Sequence, residues 1–212
     1  MKYPIFASVV IFCLTLMYTI HRQRDKEAEE YQSFWDRETK ANSTRRKSLD
    51  DLNYITIPFD ALPMDTLKDD PKVSDYHRTL ESISESPIVN FTGFTNTDLK
   101  LKYGAPNIDR LMAYDQAYTT LARTLNQWAH YLYENEFIDE ARTILEFAME
   151  TDTDVSSSFD LLAKIYSDEG NTDKIKALIT KASEINSLMS RSIVSKLEAY
   201  LSEPESSKQA DS

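Results

Sequence analysis

Between Asn107 and Asn186 the chain repeats on itself. Leu125 returns as Phe159, Trp128 as Leu162, Ala129 as Ala163, Leu132 as Tyr166 and Ala148 as Ala182, and every step, 163 − 129 for instance, is 34 residues. Within each copy the apolar residues fall three and four apart, which is the spacing of one buried stripe on a helix. A fixed period in this range marks a helix-turn-helix unit that buries its apolar face by stacking on the next copy. The small residues Ala129 and Ala163 let a second helix approach closely, and Ala148 and Ala182 let the next copy stack. Turns are expected at Asn135 in the first copy and at Gly170 in the second, since glycine adopts the left-handed conformation that closes a helix.

The pattern predicts five consecutive helices over 107–134, 137–150, 155–168, 172–186 and 189–201. The first is unusually long because Ile108, Leu111, Met112, Ala117 or Tyr118, and Leu121 carry the stripe back to a start signal at Pro106-Asn107. The last, with Met189, Ile193, Leu197 and Tyr200 on one face and Pro204 beyond it, is expected to cap the stack.

At these residues the sequence resembles the tetratricopeptide repeat. Trp128-Ala129, Leu132, Ala141 and Ala148 match its pattern in copy one, and Phe159, Leu162-Ala163, Tyr166, Gly170 and Ala182 in copy two. It departs at Glu136, where the family has the turn glycine, at Ile175, where it has alanine, and at Thr153 and Ser187, where it has proline. The resemblance implies an all-α fold and a peptide-binding groove on the solvent side of each copy's first helix. Arg123, Asn126, His130 and Tyr133, then Asp160, Lys164 and Ser167, occupy that side. They differ from the lysine-and-asparagine clamp with which some family members grip a C-terminal carboxylate.

Ahead of the repeats, Ile5 to Ile20 carries no charge, and its hydroxyl groups are those of Ser8, Thr15, Tyr18 and Thr19. With Tyr3 and Pro4 it approaches the lower edge of a membrane-spanning helix. No small-x-small cleavage site follows, so an uncleaved anchor over 1–20 is expected. Arg22, Arg24, Lys26 and Arg37 follow it against Lys2 before it; that excess favours a cytoplasmic C-terminal domain, with an extracytosolic domain as the alternative. Residues 21–50 form a charged linker with eight Lys/Arg and seven Asp/Glu, whose first half can continue the anchor helix with Ala28, Tyr31, Phe34 and Trp35 on one face. The short anchor, the Phe34-Trp35 linker, the TGFTNTDLK segment and the two repeats together look similar to membrane-anchored proteins of clostridia-like Gram-positive bacteria, a likeness that brings no activity with it.

Over 51–106 an extended segment is expected, broken by Pro58 and Pro63 and therefore not a sheet strand, then one amphipathic helix at about 71–85. Ile88 to Phe94 is β-prone without an evident partner, and Thr92 to Lys102 reads as a turn-rich connector. The tail, 202–212, is expected to be disordered.

Chemistry is excluded by what the chain lacks. His21, His77 and His130 are far apart without catalytic or ligand spacing, Cys13 stands alone, and three glycines form no phosphate loop. An enzyme, a cofactor and a metal are therefore not expected. Setting Lys2 and the linker aside from the chain's 24 basic and 35 acidic residues leaves 15 against 28 beyond residue 50; such a body repels the nucleic-acid backbone. The expected function is a membrane-anchored scaffold or adaptor for a protein or peptide partner, the alternative an extracytosolic assembly factor or chaperone for envelope proteins. Two sequons, Asn42-Ser43-Thr44 and Asn90-Phe91-Thr92, are candidate glycosylation sites.

Overall fold

The structure, a computed structural model, describes the backbone of residues 3–202 and side chains from Ser8 onward. It is an all-α protein: eight α-helices, one 3₁₀ turn and one two-stranded ladder account for the regular elements among the described residues. Contacts divide the chain into two compact units, one holding the chain up to Ser48 together with Thr95–Ile108, the other Leu49–Phe94 and the chain from Asp109 on.

The first unit is built on α1 (Tyr3–Ser43). From Ile5 to Ser43 there is neither glycine nor proline, so nothing in the sequence interrupts the helix across the apolar run and the charged linker. The connector expected at Thr92–Lys102 is instead largely a helix, α3 (Asn96–Tyr103). The local reason is a capping box: the Thr95 hydroxyl accepts the Asp98 N–H while Asp98 accepts the Thr95 N–H. Thr97 bonds Glu38, Arg37 pairs with Asp98, and Lys100 donates to Asn42 at 2.8 Å, which fixes α3 to the last turns of α1. Gly104 (φ +95) ends α3 where any Cβ would collide with the Arg45 backbone.

Among the described residues no helix is long and apolar enough to cross a membrane. From Ser8 to Ile20 the apolar run covers 13 residues (20 − 8 + 1) before His21 and Arg22, short of the roughly 20 that a spanning helix needs. Residues 1–7, which open the anchor expected over 1–20, lie outside the described side chains. The tail expected over 202–212 lies outside the described residues except for Ser202, which ends the last helix.

In the second unit the extended segment is not strand-free. β1 (Tyr54–Ile55) pairs antiparallel with β2 (Ile88–Val89), Tyr54 opposite Val89 and Ile55 opposite Ile88. Both prolines lie beyond β1, which is why they do not break it. Between the strands runs α2 (Pro71–Ser84), started by Asp70, whose carboxylate accepts the Lys72 and Val73 N–H groups.

The remaining helices are α4 (Ile108–Glu134), α5 (Ile138–Glu150), α6 (Ser156–Asp168), α7 (Thr172–Glu184) and α8 (Ser190–Ser202), with a 3₁₀ turn, Ala105–Asn107, leading into α4. Their stripes form one core in which Leu125, Trp128, Ala129 and Leu132 meet Ile144, Leu145, Phe159, Leu162 and Ala163. α2 packs on α4: His77 meets the Trp128 ring edge-on at 4.9 Å, and Tyr131 donates to Asp70 at 2.9 Å.

The period of 34 extends from side chains to backbone bonds. Phe137 N–H reaches Leu132 C=O at 3.0 Å, and Asn171 N–H reaches Tyr166 C=O at 2.8 Å; Glu136 bonds Tyr133 as Gly170 bonds Ser167. Glu136 and Gly170 both stand at φ +69, so the departure in residue type leaves the left-handed turn intact. Thr153 and Ser187 are likewise equivalent: each hydroxyl accepts the N–H two residues on, Val155 at 3.3 Å and Met189 at 3.2 Å. A local hydroxyl bond thus sets the turn in both copies. The register even continues into α8, since Ile193, Leu197 and Tyr200 stand 34 beyond Phe159, Ala163 and Tyr166, and α8 packs on α6 and α7 as a first helix of a further copy would.

Candidate functional site

The residues expected to line one groove are separated into a tied middle and two flanking hollows. In the middle, Asn126 Oδ1 accepts from Ser157 at 2.8 Å and from Ser158 at 2.9 Å. Asn126 therefore clamps α4 to α6, and as a partner contact it has only its amide N–H groups left. Toward the C-terminal ends of the two helices, Lys164 Nζ lies 5.1 Å from the Tyr133 ring centroid. This cation–π contact covers part of the expected aromatic anchor. Asp160 accepts from the Tyr200 hydroxyl at 3.1 Å, so it holds α8 and is not a free charge. Ser167 is half-buried in the last turn of α6, its carbonyl accepting the Gly170 N–H.

One hollow, of about 500 Å³, lies between α2 and α4. Lys72 and Tyr76 form one wall and Gln127, His130 and Glu134 the other. His130 is half-buried, and its Nε2 is shielded from solvent without a hydrogen-bond partner. Lys72 reaches over the Tyr131 ring at 4.3 Å. Asp70 is held below its ordinary pKa: burial pushes it up, but the Tyr131 hydroxyl and the two N-cap N–H groups outweigh that.

The other hollow, of about 540 Å³, opens on the middle of α4 and contains Arg123. Its floor is Tyr118 and Ala122, its far end Asp115, and its wall the 91–94 loop with Phe94 partly exposed; Asp154, ahead of α6, also lines it, its carboxylate accepting the Ser187 hydroxyl at 2.6 Å. That wall is fixed by Gly93 (φ +83), since any Cβ there would run into Asn186. Burial pushes the Asp115 carboxyl above its usual range, opposed by one hydrogen bond from the Phe91 backbone. Burial also pushes the Tyr118 phenol up to about 12. The Thr151 and Thr153 hydroxyls are its nearest side-chain partners, yet neither meets it in hydrogen-bond geometry. The buried Tyr118 hydroxyl is thus without a closed bond, a condition that costs stability in an interior.

The two sequons differ. Asn90 is half-buried and its amide donates to the carbonyls of Thr151 at 3.0 Å and Asp152 at 2.9 Å. It closes the end of α5, so its nitrogen is not available as an acceptor of sugar. Asn42 is exposed, with its side-chain oxygen taken by Lys100.

Asp115, Tyr118 and Phe94 were absent from the expected set. Spacing carries a signal for the first two, because Asp115, Tyr118, Ala122 and Asn126 follow one another at three or four residues along α4. Phe94 carries none, since its place depends on a long-range backbone approach. Compared with known proteins, the chain matches no family model, no curated protein and no solved structure.

Proposed function

We propose that this chain is a membrane-attached, tetratricopeptide-like platform that holds a protein or peptide partner through the α4–α6 face. The repeat reading is supported by turn bonds that recur at 34 residues, including at Glu136, Thr153 and Ser187, where residue type departs from the family pattern. Attachment rests on α1. Val9, Ile11, Phe12, Leu14, Met17 and Ile20 are all exposed, on every side of the helix. The Thr15 and Thr19 hydroxyls bond the carbonyls of Phe12 and Leu16, which lowers the cost of placing them in lipid. The full run from Ile5 to Ile20, with Tyr3 and Pro4, is the proposed span, and the basic excess behind it favours a cytoplasmic domain.

The observation that carries the binding role is the α4–α6 face itself. It keeps an exposed guanidinium at Arg123 and two hollows beside it, while the core behind is closed. The proposed role is binding without chemistry or cofactor. Attachment to a surface raises the partner's effective concentration there, so modest affinity is enough.

The test is fractionation of cells making the full chain or a chain lacking residues 2–20, each fused at its C-terminus to a reporter active on one side only. The full chain should stay with membranes at alkaline pH, and the shortened one should be released. Release of both would overturn attachment. Reporter activity on the outer side would favour the assembly-factor alternative.

A further inference from the structure

We propose that the hollow beside Phe94 takes a short extended peptide segment with opposite charges at its two ends, a basic side chain at Asp115 and an acidic one at Arg123. The inference rests on the platform reading and names what the platform grips.

The charges are the first ground. Asp115 is half-buried and has no ion-pair partner among the described residues, only the Phe91 N–H. Arg123 is exposed and likewise forms no ion pair among the described residues. This separates them from Arg142, Lys174 and Lys181, which are each paired within the fold. A carboxylate disfavoured by burial gains most from an added cation, and a solvated guanidinium orients an incoming anion.

Length is the second. Eight residues of helix separate Asp115 from Arg123, which at 1.5 Å per residue is ~12 Å. An extended chain advances ~3.3–3.6 Å per residue, so the matching charges lie about three or four residues apart.

The middle of the hollow supplies the rest. Ala122 leaves room above the helix for an apolar side chain, and Phe94, 41% exposed, forms the wall it packs on. The Asn126 amide N–H groups remain to meet a backbone that has unpaired N–H and C=O groups of its own. A phosphate-bearing polymer does not fit, since the chain carries a net charge of −11 and the far end of the hollow is a carboxylate.

The experiment uses the full chain in detergent micelles and fluorescein-labelled, end-blocked pentapeptides read by anisotropy. The probes are Lys-Leu-Ala-Leu-Glu and the reversed Glu-Leu-Ala-Leu-Lys, with norleucine replacing Lys or Gln replacing Glu as controls. One chain direction should bind about tenfold tighter than either of its single-charge controls, a tenfold change being about 1.4 kcal/mol. Asp115→Asn should abolish the advantage of Lys and keep that of Glu, and Arg123→Gln the reverse. The exchange Asp115→Arg with Arg123→Asp should make the other direction the tighter binder. Binding indifferent to these charges overturns the proposal, as does no binding of any peptide at millimolar concentration. If none binds while a partner still crosslinks at Lys164, this inference fails and the platform reading stands; failure of both removes the platform as well.

Discussion

The two copies of the hairpin share their backbone bonds and differ in what they carry outward. Copy one, α4 and α5, keeps Trp128 where copy two, α6 and α7, has Leu162, and Glu136 where copy two has Gly170. The indole gives α4 a second neighbour, the His77 ring of α2. Because α2 and the 91–94 loop flank it, copy one has a hollow on either side of Asn126. Copy two is flanked by α8, which takes Asp160 through Tyr200. The same unit thus keeps open hollows in one place and is covered in the other, and the neighbours decide which.

The largest expected effect tests the asymmetry of the cores. Trp128→Ala should destabilise by about 3–5 kcal/mol, as for large buried aromatics, and Leu162→Ala by about 2–5 kcal/mol. Both residues are essentially inaccessible to solvent. Urea melts should rank Trp128→Ala as the costlier change. The opposite order would mean that the α2 contact adds nothing to copy one.

The turns separate the copies in the other direction. Glu136 holds a left-handed conformation that a side chain disfavours, so Glu136→Gly should be neutral to stabilising, by up to ~1 kcal/mol, while Gly170→Ala should cost about 1 kcal/mol. Any destabilisation by Glu136→Gly in thermal melts would show that the Glu136 side chain makes a contribution its turn does not reveal. The hydroxyl turns should not cost alike: Thr153→Val removes one bond to a backbone N–H, worth about 0.5–1.5 kcal/mol, while Ser187→Ala removes the equivalent bond together with the donation of Ser187 to the Asp154 carboxylate at 2.6 Å and should cost more. Equal losses in thermal melts would show that the bond to Asp154 adds nothing beyond the turn itself.

The smallest effect is in pH. Burial lowers the pKa of His77, opposed by Glu81; the folded value lies below the unfolded one. Its contribution is therefore complete above the unfolded pKa of about 6.5 and is lost as pH falls below it. Glu146 is also lowered: burial raises it, but the Tyr166 hydroxyl and Lys174 outweigh burial. That contribution is present above about 4.3 and lost below. His77→Phe should flatten the first window and Glu146→Gln the second. Solvent exposure of the Glu146–Lys174 pair keeps its share under ~1 kcal/mol. If neither variant changes the pH profile, acid sensitivity arises elsewhere.

The helices of the two copies were legible because apolar residues three and four apart leave few other ways to bury a stripe. Helix α3 was missed although its signal, Thr95-x-x-Asp98, is local; the hydroxyl and amide side chains around it suggested turns. The pairing of Tyr54–Ile55 with Ile88–Val89 was not legible, since two residues on each side of a long excursion carry no period. Within the expected groove, side-chain spacing placed Asn126 and Asp160 on the outer face but not the Ser157, Ser158 and Tyr200 groups that occupy them. The Phe94 wall depends on Gly93 meeting Asn186, a contact between residues far apart in the chain.

The central claim, that the α4–α6 face receives the partner, is tested most directly by a photocrosslinking side chain placed at single positions of the full chain in living cells. Lys164 stands on that face beside Tyr133, whereas Lys176, paired with Asp173 on the outer side of α7, stands apart from it. The account predicts a discrete protein adduct from position 164, lost when Arg123→Glu and Tyr133→Ala are combined, and none from position 176. An adduct from position 176 alone, or one from 164 that persists in the combined variant, would contradict it.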